Sequence, residues 1–250
     1  MRTTRKRATV ERISTGGPWA NVHAVWRRYE NEPVAADAIY SALRESILEG
    51  LLPAGERLAE LQLAALFKRS RTPVREAILR LESERLADRS GRRGFVVCGI
   101  SQEEILEVYA VREVIDGLAA RLAAQGCLPT DLDHLAWLNR RLRKAAEERD
   151  LRLMVELNIE FHEAVARASR NALLLQFMRQ IHDWVRRFSE TTFSHRSRAV
   201  EAVKEHEALV DALKRRDSDA AERIARAHMV RAREVRVAMQ QSAFHDPDAS

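Results

Sequence analysis

The stretch from Glu60 to Val97 constrains this chain most, because it sets two helical patterns, a tight break and a glycine-bounded turn side by side. Leu61, Leu63, Ala64, Leu66 and Phe67 form a brief apolar-periodic segment, which Lys68-Arg69-Ser70 interrupts. Val74, Ala77, Ile78, Leu81 and Leu86 then line one face at helical spacing. Ser70 is placed to act as N-cap, and Pro73 falls in the first turn, where a missing N–H costs nothing. Arg71, Thr72, Arg75 and Glu76 lie near that end, off the apolar face. Two short helices joined by a tight turn, with such an end exposed, make a helix-turn-helix. Its second helix enters the DNA major groove with N-terminal residues at the base edges. Arg89-Ser90-Gly91-Arg92-Arg93-Gly94, closed by Phe95-Val96-Val97, reads as a hairpin wing that touches phosphates. The plain alternative is a core helix hairpin with a solvated basic face.

Charge agrees with the first reading. The net charge of +5 hides an asymmetry: residues 1–99 hold 18 Lys/Arg against 12 Asp/Glu, and the remainder 24 against 25. From Lys68 to Arg93 there are nine basic and four acidic residues, so the positive charge sits where the helix-turn-helix and wing are expected. That is the footprint of a polyanion partner.

The rest of the chain organises around this head. Residues 1–33 are polar, with Arg2, Arg5, Lys6, Arg7 and Arg12 near the start, and read as a flexible basic arm or a solvated leader. Residues 34–99 make the winged helix-turn-helix, opened by an amphipathic helix from Val34 to Glu49 that Gly50 ends. Ser101 with Glu104 is a capping box that starts a second domain. Over 100–241 the pattern is helical throughout, with expected helices at 102–125, 130–148, 150–168, 171–189, 197–215 and 217–241. Residues 242–250 read as a disordered tail. The fold class is therefore mainly α: a winged helix-turn-helix, then an all-helical antiparallel bundle. Cys98 and Cys127 make neither a disulfide framework nor a zinc motif, and read as reduced thiols of a cytoplasmic protein. No apolar run approaches the ~20 residues needed to cross a bilayer, and no signal peptide is indicated.

Leu51-Leu52-Pro53-Ala54-Gly55-Glu56-Arg57-Leu58-Ala59-Glu60 and above all Ser70-Arg71-Thr72-Pro73-Val74-Arg75-Glu76-Ala77 resemble the GntR family of bacterial transcription regulators. The likeness is to the FadR-like branch, which carries a C-terminal all-helical FCD domain. It implies a winged helix-turn-helix that binds a double-stranded operator as a homodimer. By motif position Arg71, Thr72 and Arg75 correspond to DNA-contacting residues, and the wing glycine to Gly91 or Gly94. With Arg69 and Ser70 of the break and Arg92 and Arg93 of the wing, they make the expected DNA-binding set. The chain departs from the family pattern at the helix-helix turn, where the usual Gly-Val is Lys68-Arg69. It departs again where a further arginine is Leu61.

In the helical part Asn158 and His162, four apart, share one helix face, and His206 and His228 sit on two later helices among apolar residues. Spacing alone is a weak signal and reads first as satisfied core histidines. The resemblance adds weight, because Asn158-Ile159-Glu160-Phe161-His162, Glu205-His206-Glu207 and Ala227-His228-Met229 match FCD patterns. It implies that Asn158, His162, His206 and His228 ligate a divalent metal ion. Imidazole donors suit Zn²⁺, Mn²⁺ or Ni²⁺. Many relatives have Asp where this chain has Asn158, so the site keeps one less negative charge. The resemblance also places Arg112 against an effector, and guanidinium suits a small organic acid. An intrahelical pair with Asp116 is the other reading of Arg112. The expected function is a ligand-responsive transcription regulator, a repressor released by a small carboxylate metabolite, and not an enzyme. Two alternatives stay open: a metal-dependent enzyme fused to a DNA-binding head, and an architectural DNA binder with no effector.

Overall fold

The computed structural model describes residues 18–91, 94–187 and 191–243. The chain divides between Ile100 and Ser101 into two compact units. The first opens with helix α1 (Pro18–Tyr29), followed by α2 (Ala35–Leu48), strand β1 (Arg57–Leu58), α3 (Glu60–Leu66), α4 (Arg71–Ser83), β2 (Ala87–Arg89) and β3 (Phe95–Val97). The strands form one antiparallel sheet in the order β1-β3-β2, with Leu58 opposite Phe95 and Asp88 opposite Val96.

Apolar spacing explains the helices of this unit. On α2, Ala38, Ile39, Ala42, Leu43 and Ile47 are buried at steps of one, three and four residues. They meet Val74, Ala77, Ile78 and Leu81 of α4, and Leu63, Leu66 and Phe67 complete the same core. Ser70 occupies the N-cap of α4 with extended backbone, but its hydroxyl makes no capping bond. The wing narrows where Ser90 N–H donates to the Gly94 carbonyl at 2.8 Å, and Gly94 takes φ +84°, a left-handed conformation natural to glycine.

Helix α1 corrects the sequence reading of residues 1–33 as an arm. Residues 18–29 are helical, and Val22, Val25 and Trp26 are buried. The Trp26 ring lies 4.7 Å from that of Phe67, and the Trp19 indole N–H donates to Glu56 at 3.0 Å. The part of the expected arm before Pro18 lies outside the described residues, as does the tail beyond Ala243.

The second unit is a bundle of α5 (Gln102–Gly126), α6 (Pro129–Glu148), α7 (Leu151–Ala168), α8 (Ala172–Arg186), α9 (Arg196–Lys214) and α10 (Ser218–Ala243), with a 3-10 turn at Thr192–Ser194. Each break carries its own stop and start chemistry. Ser101 and Glu104 close a reciprocal capping box on α5. Asp150, Asn171 and Asp217 accept from the backbone N–H three residues on. Arg149, Arg170 and Arg216 turn the chain at φ values of 60°, 57° and 56°. Small side chains on α5 (Ala119, Ala120, Ala123 and Ala124) are fully buried in a core with Leu135, Leu138, Leu142 and Phe161. No helix among the described residues is long and apolar enough to cross a membrane.

Lys68, between α3 and α4, holds φ +51°. A side chain there is strained by about 1–2 kcal/mol, and glycine returns roughly half of that gain as unfolded-state entropy. Lys68→Gly should therefore stabilise the protein by about 0.5–1 kcal/mol. Chemical denaturation checks it, and a lower midpoint in the variant would refute the assignment.

Candidate functional site

The first unit presents one polar tip. Ser70, Arg71, Thr72 and Arg75 are all exposed at the N-terminal end of α4, because the apolar stripe Val74-Ala77-Ile78-Leu81 turns the opposite side of the helix inward. The unpaired N–H groups of that end add a favourable field for phosphate. Arg71 is engaged within the head: its Nη2 lies 2.8 Å from Glu60 Oε2, at the start of α3. Arg75 has no ion-pair partner among the described residues. Arg69 points elsewhere, since its guanidinium donates to the Glu30 carbonyl at 3.3 Å and lies 5.8 Å from the Trp26 ring. Gly94 sits at the wing turn, whereas Arg92 and Arg93 fall outside the described residues. Arg89, read from the sequence as part of the wing but left out of the DNA-binding set, lies on strand β2 beside Glu82 at 3.1 Å.

The second unit holds a polar centre inside an apolar bundle. His162 of α7, His206 of α9 and His228 of α10 are buried, and one ring nitrogen from each lies within 4.8 Å of the others. Ring centroids are 5.3 Å apart for His162–His206, 5.2 Å for His162–His228 and 4.9 Å for His206–His228. A cavity of about 10 Å³ opens between them, bounded also by Asp116, Ala119 and Glu205. That is the space of one water or ion. The His206 ring stacks on Phe161 at 3.9 Å, which fixes its plane.

Buried polar atoms usually find partners, and several here do not. His162 Nε2, both ring nitrogens of His206 and Asn158 Oδ1 are buried without a hydrogen bond. Asn158 lies one turn before His162 on the same face of α7. Unpartnered lone pairs on imidazole nitrogen and an amide oxygen are what a borderline divalent cation takes up, so the donor set fits one.

Charged neighbours surround the cluster. Asp116 Oδ1 lies 2.9 Å from His162 Nδ1, and its other oxygen is 3.5 Å from Arg112 Nε. Glu205 Oε2 lies 2.5 Å from His228 Nδ1 and 2.7 Å from Arg198 Nη1. Burial raises the Asp116 carboxyl, but the positive fields of Arg112 and His162 outweigh it and hold the acid well below its usual range. Burial drives His206 well down, helped by His228 and His162, and drives His228 down in the same way, helped by His162 and Arg198. Arg112, expected against an effector, is buried and paired with Asp116, the partner that the intrahelical reading named.

Sequence reasoning missed two members. His182 on α8 is buried, 3.5 Å from Glu163, and its ring lies 6.3 Å from that of His162. Its signal was a stripe: Leu174, Met178 and His182 recur every fourth residue. Arg198, 2% exposed, is the other: Glu205 pairs with it two turns on along the same helix, but its contact with His228 comes from another helix, which no local pattern marks.

Comparison with known proteins agrees with both halves. Residues 35–97 match the model for bacterial regulatory proteins of the gntR family, and residues 107–231, half of the chain, match the FCD domain. An uncharacterized HTH-type transcriptional regulator of Bacillus subtilis strain 168, YdhC, is 28% identical over 76% of this chain and 85% of its own length. The HTH-type transcriptional repressor RspR of Escherichia coli K12 is 29% identical over 76% of this chain and 84% of its own. The solved structure of E. coli McbR/YncC shares the fold at a TM-score of 0.66, with 24% identity, covering 83% of this chain and 98% of that one. Proteins of this kind bind operators and effector ligands and are not enzymes, which removes the metal-dependent enzyme from consideration. An exposed recognition-helix tip, a wing, a helical bundle with a three-histidine centre and these matches lead to one conclusion: the chain belongs to the GntR family of transcription regulators and carries an FCD domain.

Proposed function

We propose that this regulator is a homodimeric repressor whose FCD domain holds a divalent metal ion and releases DNA when a small organic acid binds beside it. The observation that carries the reading is one chain joining an exposed Arg71–Arg75 tip to a buried cluster of His162, His206 and His228.

Ser70, Arg71, Thr72 and Arg75 read base edges in the major groove, and Arg92, Arg93 and Gly94 lie along phosphates. Arg69, tied to Glu30, contributes positive field more than contact. Two such heads in a dimer meet half-sites about one helical turn apart. Asn158, His162, His206 and His228 hold the ion, with Zn²⁺, Mn²⁺ and Ni²⁺ all suited to the donors. Arg112 with Asp116, and Arg198 with Glu205, each sum to no charge. Because Asn158 adds none, a divalent ion leaves the centre positive, which attracts a carboxylate. A bound acid shifts operator affinity only through unequal affinity for the two arrangements of the domain.

The double variant Arg71→Ala/Arg75→Ala should lose about 1–3 kcal/mol of discrimination for each guanine contact removed. Competition between a fragment of the gene's own upstream region and unrelated duplex measures it. Undiminished selectivity would end the reading of the tip.

A melting screen with Zn²⁺, Mn²⁺ and Ni²⁺, alone and with organic acids, tests the second half. A bound ion should add about 2.7 kcal/mol at a hundredfold excess over its dissociation constant. His206→Ala should abolish that gain, and an equal gain in the variant would place the ion elsewhere.

Burial also sets a pH window for the metal-free protein. His206 and His228 stay neutral when folded under conditions that protonate an ordinary histidine, whose pKa is near 6.5. Protons therefore favour the unfolded chain. Stability is full above that value and falls as pH drops below it, by up to about 1.4 kcal/mol per pH unit for each imidazole. Denaturation midpoints from pH 8 to 5 check this, and a flat profile would contradict it.

A further inference from the structure

Two side-chain chains of the same order, buried except at the part-exposed Glu205, run into the histidine cluster. In one, Arg112 Nε faces Asp116 Oδ2 at 3.5 Å, and Asp116 Oδ1 faces His162 Nδ1 at 2.9 Å. In the other, Arg198 Nη1 donates to Glu205 Oε2 at 2.7 Å, and the same oxygen faces His228 Nδ1 at 2.5 Å. Each reads arginine, carboxylate, imidazole. His206, the third member, has no carboxylate at either nitrogen, and its ring is held by Phe161 instead.

The second chain contains a chemical conflict. Arg198 Nη2 also lies 3.1 Å from His228 Nδ1, with the His228 carbonyl at 3.5 Å. A guanidinium can only donate, and an ionised carboxylate can only accept. Arg198 therefore asks for a bare Nδ1 on His228, and Glu205 asks for a protonated one. A neutral imidazole satisfies one of them. With the proton on Nδ1, the Nε2 lone pair is free for an ion. With Nδ1 bare, the proton sits on Nε2 and an ion binds there only at the cost of shifting it. Glu205 is the nearer of the two, and Arg198 is already bound to it.

We propose that Glu205, braced by Arg198, and Asp116, braced by Arg112, are positioning residues that fix the Nδ1–H tautomers of His228 and His162, so that both Nε2 lone pairs are offered to a divalent cation. The inference rests on the metal reading above. Asp116 leaves His162 Nε2 buried without a partner, which is the state that this assignment requires. The two carboxylates also place negative charge beside the ligands where Asn158 supplies none. Arg112 acquires a role that needs no contact with the effector.

The full-length protein tests this in two ways. Nitrogen NMR of histidine-labelled, metal-free protein reads which ring nitrogen carries the proton, and zinc titration against a competing chelator reads affinity. In the wild type the His228 proton should sit on Nδ1. Glu205→Ala removes the acceptor and leaves the Arg198 donor beside Nδ1, so the proton should move to Nε2 and zinc affinity should fall about 10–100-fold. Glu205→Gln, whose amide oxygen still accepts from Nδ1–H, should keep the wild-type tautomer and lose less affinity. Should Glu205→Ala fail to fold, Asp116→Ala makes the same measurement on His162. An unchanged tautomer with affinity within about twofold of wild type would overturn the proposal, as would an Nε2 proton on His228 in the wild type. A wild-type protein that holds Nδ1–H yet takes up no zinc would sink the metal reading and leave the tautomer assignment standing.

Discussion

The bundle depends on one constraint: polar groups sealed among apolar side chains must find partners or drive the structure apart. His162, His206, His228, Asp116, Arg112 and Arg198 all lie inside a shell of Ala119, Val165, Leu209, Ile224 and similar residues. Leaving one charge of a buried pair alone costs several kcal/mol. The arginines and carboxylates answer one another, so the charge of the centre sums close to zero before any ion enters. What stays without a hydrogen bond is the set of lone pairs on His162, His206 and the Asn158 amide oxygen, together with Arg112 Nε, Asp116 Oδ2 and Arg198 Nε of the surrounding pairs. The site is thus sorted into an outer ring whose charges are paired and a middle whose lone pairs have no partner. This sorting points to a cation better than the mere presence of three histidines does.

The same logic separates the two halves of the molecule. At the tip of the head, charge is on the outside, without an ion-pair partner among the described residues at Arg75 and weakly paired at Arg71. Exposed ion pairs of this kind are worth about 0–1 kcal/mol and are easily exchanged for a phosphate or a base edge. Around the histidine centre of the bundle, charge is largely buried and paired. The head is built to give up its present partners and the bundle to keep them.

Much of this was legible in the sequence because it depends on neighbours in the chain. The break at Lys68-Arg69-Ser70, the stripe of α4 and the capping box of Ser101 with Glu104 are local patterns, and the structure forms each of them. What escaped depends on distant contacts. The stripe Trp19-Val22-Trp26 is short and flanked by charge, and it becomes a helix against Phe67 and Glu56, which the sequence places far away. Arg198 looks like any surface arginine until α10 brings His228 to it. His182 carried a periodic signal, but a histidine on an apolar stripe reads as core until its ring is seen 6.3 Å from a second one. Arg69 reads with the DNA-binding set from its place in the break, and no sequence pattern marks that its guanidinium donates to the Glu30 carbonyl.

Glu60 has a consequence of its own. Its carboxylate occupies the Arg71 guanidinium in much the way that a nucleic-acid phosphate would, so the unbound head carries an internal decoy. On the proposed reading of the tip, a duplex that offers only backbone would have to displace that decoy for little return, whereas a guanine edge would repay the exchange with two directed bonds. A single acidic side chain would then tax indiscriminate sliding more than a correct landing.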